Sequence, residues 1–174
     1  MDTDTLFSNV TSLSGGFFRP NRFMMNIVPP QPLAGARTDL LRVSLNCNAT
    51  GIPGRTIATR DVALGGSMTR KIPHSGLMNE LTTTFYMSKD FSEKHLFEAW
   101  IDLIYRASDG ILGWYSDYIS DMQLDLLNDD ITTQAYVFRE AYPLSVAEVP
   151  LSYDAVNQSG MLSVTWAYRE WETV

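Results

Sequence analysis

Short runs of alternating apolar and polar residues, separated by Gly, Pro and Asn clusters, dominate the chain. This period of two predicts strands. The stretch FFRPNRFMMNIV at 17–28 leads into the first, expected at about 22–28. Phe23, Met25 and Ile27 would point one way and Met24, Asn26 and Val28 the other. A strand with one face in water is polar at every second position. This one is apolar on both faces, which predicts cover on both. The loop PPQPLAGARTD follows, and then LRVSLNCNA, the cleanest alternation in the sequence. It is read as a strand, with Leu41, Val43, Leu45, Cys47 and Ala49 on one face. TGIPG turns the chain into an alternating stretch at 55–64, broken by GGS. Short strands are expected at 69–72 and 80–87, with PHSG as a turn between them. In the second, Leu81, Thr83, Phe85 and Met87 share a face.

One segment has a helical period. In DFSEKHLFEAWIDLIYRASDG, apolar residues recur three and four apart at Leu96, Phe97, Trp100, Leu103, Ile104 and Ala107. Asp90 with Glu93 resembles a capping box, and Gly110 is the expected stop. Strands then return. SDMQLDLL and TTQAYVFREAYP flank a hairpin turn at NDD, and GMLSVTWAYREWE is read as one last strand with Leu162, Val164, Trp166 and Tyr168 on one face. Strands, one helix, then strands predict a mainly β fold: an antiparallel sandwich or small barrel with one docked helix. Residues 1–16, polar and ending in SLSGG, are expected to be a flexible arm, and 17–174 a single domain.

Composition narrows the function. The 174 residues are 45% hydrophobic, enough for a core, and the net charge is −7. Holding nucleic acid by its phosphates needs a basic face, so that class is disfavoured. The single cysteine, Cys47, allows no intramolecular disulfide and no cysteine zinc site. Synthesis in a reducing compartment is the simple expectation. No run reaches the ~18 apolar residues of a membrane-spanning helix, and MDTDTLFSNV lacks the basic start of a secretory signal.

Candidate chemistry is sparse. His74 beside Ser75 could belong to a triad only with distant partners, and sequence adjacency is not triad geometry. His95 fits a surface position on the helix. Asp125, Asp129 and Asp130 surround the NDD turn but lack the alternating oxygens and downstream glutamate of a calcium loop. The glycines at 65–66 are not set in a phosphate-loop pattern. Cys47, on an apolar face, reads as an inert thiol. No catalytic residue, metal or cofactor is therefore expected, and no enzyme. The basic group Arg55, Arg60, Arg70 and Lys71, interleaved with Asp61, is either solvated surface or an inter-subunit ion-pair patch. Trp100 and Trp166 fit a core. Trp114 and Trp171 lie in polar settings, and such residues are favoured at interfaces. Oligomerisation would bury what folding leaves exposed.

The order of these features resembles the tail tube proteins of T4-like contractile-tailed bacteriophages. An Arg-Pro-Asn-x-Phe entry (Arg19 to Phe23) feeds the first strand. Cys47-x-Ala49 leads to the Pro53 turn, and Arg70-Lys71-Ile72 follows. A strand then runs into a helix with Phe97-x-x-Trp100. Tyr142-Pro143 precedes a final strand ending in Tyr168-x-x-Trp171-Glu172. The match spans about residue 17 to the end, and 108–135 departs most. The resemblance implies two packed antiparallel sheets with a helix at the side, hexameric rings stacked into a hollow tube, and one sheet per subunit joining a continuous inner barrel. It implies a passive conduit for double-stranded DNA during ejection, inside a contractile sheath. The implied partners are further copies, sheath, baseplate, tail terminator and tape-measure proteins, with no membrane insertion. The implied location is the virion tail, after assembly in the host bacterial cytoplasm. Met24, Asn26 and Val28 become candidates for inter-subunit contact, Arg55, Arg60, Asp61, Arg70 and Lys71 for ring-to-ring contact, and Asp61, Asp125 and Glu170 for the lumen. Tubes of type VI secretion and other contractile injection systems, which move proteins, are similar alternatives. A different class is a monomeric β-barrel that lines a small-ligand cavity with its Met and aromatic residues.

Overall fold

The computed structural model describes residues 18–63, 65, 68–128, 131–154 and 158–174. The expected arm, and Asp129 and Asp130 of the turn, lie outside the described residues. Two antiparallel sheets form the fold, and a helix packs into their shared core. The first sheet orders β1 (Phe23–Ile27), β8 (Ser120–Asn128), β9 (Ile131–Val146) and β11 (Glu170–Thr173). The second orders β9, β10 (Met161–Ala167), β5 (Leu81–Tyr86) and β2 (Cys47–Thr50). The sixteen-residue β9 serves both, its first part pairing β8 and β11 and its last part β10. It turns between them at Glu140, whose φ of 52° is left-handed, rare for a residue with a side chain. Asp121 Oδ1 accepts the Glu140 N–H at 3.2 Å, and Arg169 and Tyr115 both donate to the Glu140 carboxylate.

The same corner divides the expected last strand in two. β10 pairs with β5 and β9, while β11 pairs with the earlier part of β9. The chain bends at 168–169 because its partner bends at Glu140, which the alternating pattern cannot register. Leu162, Val164 and Trp166 do share one buried face, as expected.

The helix α2 (Ser92–Ile104) buries Leu96, Phe97 and Trp100. The Phe97 and Trp100 rings meet Trp166 edge-on at 5.7 and 5.5 Å. Each buried aromatic of this size contributes about 3–5 kcal/mol against truncation to alanine. Both of these indole N–H groups are satisfied: Trp166 donates to Thr83 at 2.8 Å and Trp100 to the Tyr118 carbonyl at 2.7 Å. Met25 and Met122 fill the same core. Phe97, Trp100, Trp166, Met25 and Met122, which a ligand-binding barrel would place around a cavity, are packed in this core instead.

Four further expectations are corrected. LRVSLNCNA is not a strand: α1 (Arg37–Leu45) occupies most of it and β2 begins only at Cys47. Nine residues fit either period, and the helix wins because it turns Val43 and Ser44 inward while Leu41 and Leu45, one turn apart, face out. The Ser44 hydroxyl then accepts the N–H of Ile27 at 3.3 Å. The strand expected at 69–72 runs on as β4 (Thr69–Met78), through the expected PHSG turn. A bulge opposite Ala58 and Thr59 accommodates Pro73, as a ribbon's outer strand permits. At α2 no capping box forms. Phe91 is the N-cap, with φ 55°, and no side chain caps it. Glu93 turns inward and is fully buried, accepting from the Ser88 N–H at 2.9 Å, the Ser88 hydroxyl at 2.6 Å and the Asn46 amide at 2.9 Å. The helix stops at Ile104, ahead of Ala107 and Gly110. Gly110 instead supplies the positive φ of a turn between the two-residue strands β6 (Tyr105–Arg106) and β7 (Ile111–Leu112).

Candidate assembly surfaces

The first sheet ends in β1 and β11, each of which pairs with one strand only among the described residues. Hydrogen bonds fix which backbone groups point outward. The Val28 N–H and the Arg22 carbonyl bond toward β8. By alternation, the groups of Phe23, Met25 and Ile27 point away from it, and the Ile27 N–H is taken by Ser44. Val174 exchanges both bonds with Ala135 of β9, so the groups of Trp171 and Thr173 point outward from β11. Trp171 and Thr173 stand in register with Phe138 and Tyr136, on the core face like Phe23 and Met25. The two edges therefore match in parity. The Trp171 indole N–H is also one of two buried side-chain groups, with the Thr50 hydroxyl, that lack a hydrogen-bond partner among the described residues.

The outer face of this sheet carries Met24, Asn26, Gln123, Asp125, Val137, Arg139, Glu170 and Glu172, by register. Met24, Asn26 and Val28 are exposed there, with their side chains on the outer face. Asp125 is opposite Met24 but only 6% exposed, and accepts from the Gln123 amide at 2.7 Å. Arg139 bridges Asp121 at 2.7 Å and Glu172 at 2.8 Å. Asp125 and Glu170 thus share one face, whereas Asp61 lies elsewhere.

Asp61 sits on a two-stranded ribbon, β3 (Arg55–Ala63) with β4. Neither strand pairs with any other among the described residues. Its nine register pairs span about 30 Å at ~3.3 Å per residue. Both faces are mostly exposed. Arg55 is opposite Met78, Asp61 opposite Lys71, Arg60 opposite Ile72 and Arg70 opposite Val62. Arg60, Val62, Arg70 and Ile72 share one face by alternation. An isolated ribbon is marginally stable in water, so this one suits a surface that receives it. The five sequence candidates for ring contact all lie on it.

The chemical candidates scatter. His74 and Ser75 are exposed on β4, and His95 is exposed on α2. Cys47 is half-buried, and burial pushes its thiol up to about 11, partly offset by a hydrogen bond with the Ala49 backbone. No three His, Cys, Asp or Glu side chains gather into a metal site among the described residues. No helix there is long and apolar enough to cross a membrane.

Sequence reasoning missed the edge groups, which only strand pairing defines. Of the projection after α2, where Ile111, Leu112 and Trp114 stand out from the surface, it singled out only Trp114, as a residue favoured at interfaces. The one available signal was the run ILGW of large apolar residues in a polar setting.

The family model for phage tail tube proteins matches residues 18–174. Among solved structures, the chain is similar to one from the sheath-tube complex of an extracellular contractile injection system, PVC, in the extended state. The TM-score is 0.63 at 14% identity, covering 100% of this chain and 98% of the other. A chain of the PVC sheath/tube terminator aligns with TM-score 0.62 at 15% identity, covering 91% and 96%. One from the tube-terminating cap of the anti-feeding prophage aligns with 0.62 at 16%, covering 91% of each. These likenesses concern the fold. Comparison with curated protein sequences gives no significant match.

Proposed function

The chain belongs to the phage tail tube protein family, and from that premise we propose that it forms hexameric rings that stack into a hollow conduit for double-stranded DNA inside a contractile sheath. The observation that carries this reading is the pair of complementary edges on the first sheet. Its four strands alternate in direction, so β1 and β11 run opposite ways. Rotation about a tube axis preserves each strand's sense along that axis. β11 of one subunit therefore meets β1 of the next antiparallel, and an odd strand count would have left a parallel seam. Parity also fits, since the outward groups of both edges belong to core-facing residues. Closing the ring removes the sheet's free edges, which otherwise invite aggregation.

In such a ring the outer face of the first sheet lines the lumen. Asp121, Asp125, Glu170 and Glu172 outnumber Arg139 there, and Arg139 is already bridged. A lining without free cations does not hold phosphates, so DNA slides. The ribbon of Arg55, Arg60, Asp61, Arg70 and Lys71 reaches the neighbouring ring. Sheath, baseplate, terminator and tape-measure proteins are the partners this role requires, and the virion tail its location. Expression of the chain with the other tail genes tests the reading. Rings and tubes of uniform width around a DNA-sized lumen are expected. A monomer under those conditions would refute it, and tubes purified with protein cargo would favour an injection device.

A further inference from the structure

The root of the ribbon and an exposed shelf after α2 lie toward opposite ends of the first sheet, and neither surface has a partner among the described residues. The ribbon leaves the fold from β2, whose end at Thr50–Gly51–Ile52 lies beside Phe23 and Leu126. The other end of the first sheet is marked by Val28, Ser120 and Glu140, where Ser120 donates to the Val28 carbonyl. Here Ile111, Leu112 and Trp114 form a shelf. Leu112 is 71% exposed and Trp114 81%. The shelf is held firmly, because the Gly113 N–H donates to the Ile104 carbonyl at 2.9 Å and Tyr115 donates to Glu140 at 3.0 Å. Large apolar groups held rigidly in water mark an interaction site.

Charge favours one occupant. Residues 55–78 carry Arg55, Arg60, Arg70 and Lys71 against Asp61, a net +3, which leaves −10 of the chain's −7 total for the remainder. Residues 102–117, around the shelf, carry Asp102, Asp109 and Asp117 against Arg106, a net −2. One ribbon face combines Arg60 and Arg70 with Val62 and Ile72. An arginine over an indole, flanked by carboxylates and apolar contact, suits that face. The chain already makes such a pair internally, Arg55 over Trp171.

Identical rings stacked with one polarity must join opposite ends, since a head-to-tail contact brings two different patches together. We infer that the Arg60–Arg70 face of the ribbon docks on the Ile111–Leu112–Trp114 shelf of a second copy in the next ring, beside Asp109 and Asp117. The inference rests on the tube reading and names the receiving surface, which that reading leaves open.

The test mixes two blocked variants. One carries Arg60→Glu with Arg70→Glu and keeps its shelf. The other carries Trp114→Asp and keeps its ribbon, with Leu112→Lys as an independent second shelf variant. Far-ultraviolet circular dichroism checks folding, and electron-microscopic side views count rings per particle. Each variant alone should give single rings, with stacking reduced at least tenfold from wild type. The mixture should give paired rings and nothing longer, because only one of its interfaces is intact on both sides. Full-length tubes from Trp114→Asp or Leu112→Lys would overturn the inference while wild-type tubes upheld the tube reading. So would a mixture that stays as single rings, or folded shelf variants that cannot close a ring. Wild-type protein that never forms rings with its tail genes present would overturn both.

Discussion

The guanidinium of Arg55 lies 4.3 Å from the centre of the Trp171 ring. The first residue of the ribbon is thereby pinned to an edge strand of the first sheet, so the lateral and axial contacts proposed for the ring share one residue pair. A cation–π contact of this kind is worth about 0.5–1 kcal/mol at exposed sites. Arg55→Ala should therefore shift monomer unfolding by about that amount, while the concentration needed for tube formation rises several-fold more than that loss explains. A thermal melt and an assembly titration on the same sample check it. Equal effects would mean that the pair only stabilises the fold.

The β11 edge gives a sharper prediction. The Thr173 N–H points away from β9 by alternation, so Thr173→Pro removes no bond within the subunit. The variant should melt within about 1 kcal/mol of wild type, as exposed substitutions do, yet form no rings. Analytical ultracentrifugation separates the outcomes, and normal rings would refute the edge-to-edge contact. Met24→Asp on the outer face of β1 should likewise weaken assembly more than folding.

Glu93 makes the fold sensitive to acid. Burial raises its carboxyl, but bonds from the Ser88 hydroxyl and N–H and from the Asn46 amide outweigh this and hold it below the ordinary 4.5. A depressed folded-state value means that the contribution is present above the unfolded value and is lost as pH falls through the folded one. Wild-type stability should fall below pH 4.5 more steeply than that of Glu93→Gln. At neutral pH the glutamine variant should be less stable by about 1–3 kcal/mol, since it leaves a buried donor facing donors. Urea unfolding across pH 3–7 reads both, and parallel pH profiles would exclude Glu93 as the sensor.

Gly113 has no room for a side chain. A Cβ there would lie 2.1 Å from the Leu103 carbonyl oxygen, a rigid backbone atom. Gly113→Ala should cost about 1–3 kcal/mol and displace the shelf from the end of α2. Denaturant unfolding measures the cost. An unchanged midpoint would mean that the junction between α2 and the shelf shifts freely.

Much of this architecture was legible where one strand face is buried. β5 reads off Leu81, Thr83 and Phe85, and the β8–β9 hairpin off two alternating runs around NDD. Elsewhere the same letters serve two structures. LRVSLNCNA alternates as a strand would, yet folds as α1 and β2 because nine residues cannot separate the periods. Asp90 and Glu93 have capping-box spacing, yet Glu93 turns into the core toward Asn46, a partner 47 residues away. The corner at Glu140 and the bend at Tyr168 arise from strands pairing with two sheets, which no local pattern records. The assembly candidates were legible in part. The basic cluster at 55–71 was visible as charge, but not that its strands stand apart from the sheets. Trp114 was visible as an oddity, but not that it stands exposed beside the Tyr115–Glu140 bond at the corner of β9.

Cryo-electron microscopy of assembled particles tests the central claim most directly, by locating β11 of one subunit relative to β1 of the next. The account predicts antiparallel neighbours at about 4.8 Å, with Trp171 and Thr173 facing Phe23 and Met25 and the Arg139 face turned to the lumen. Rings in which these two edges stay apart, or in which the Arg139 face points outward, would contradict it.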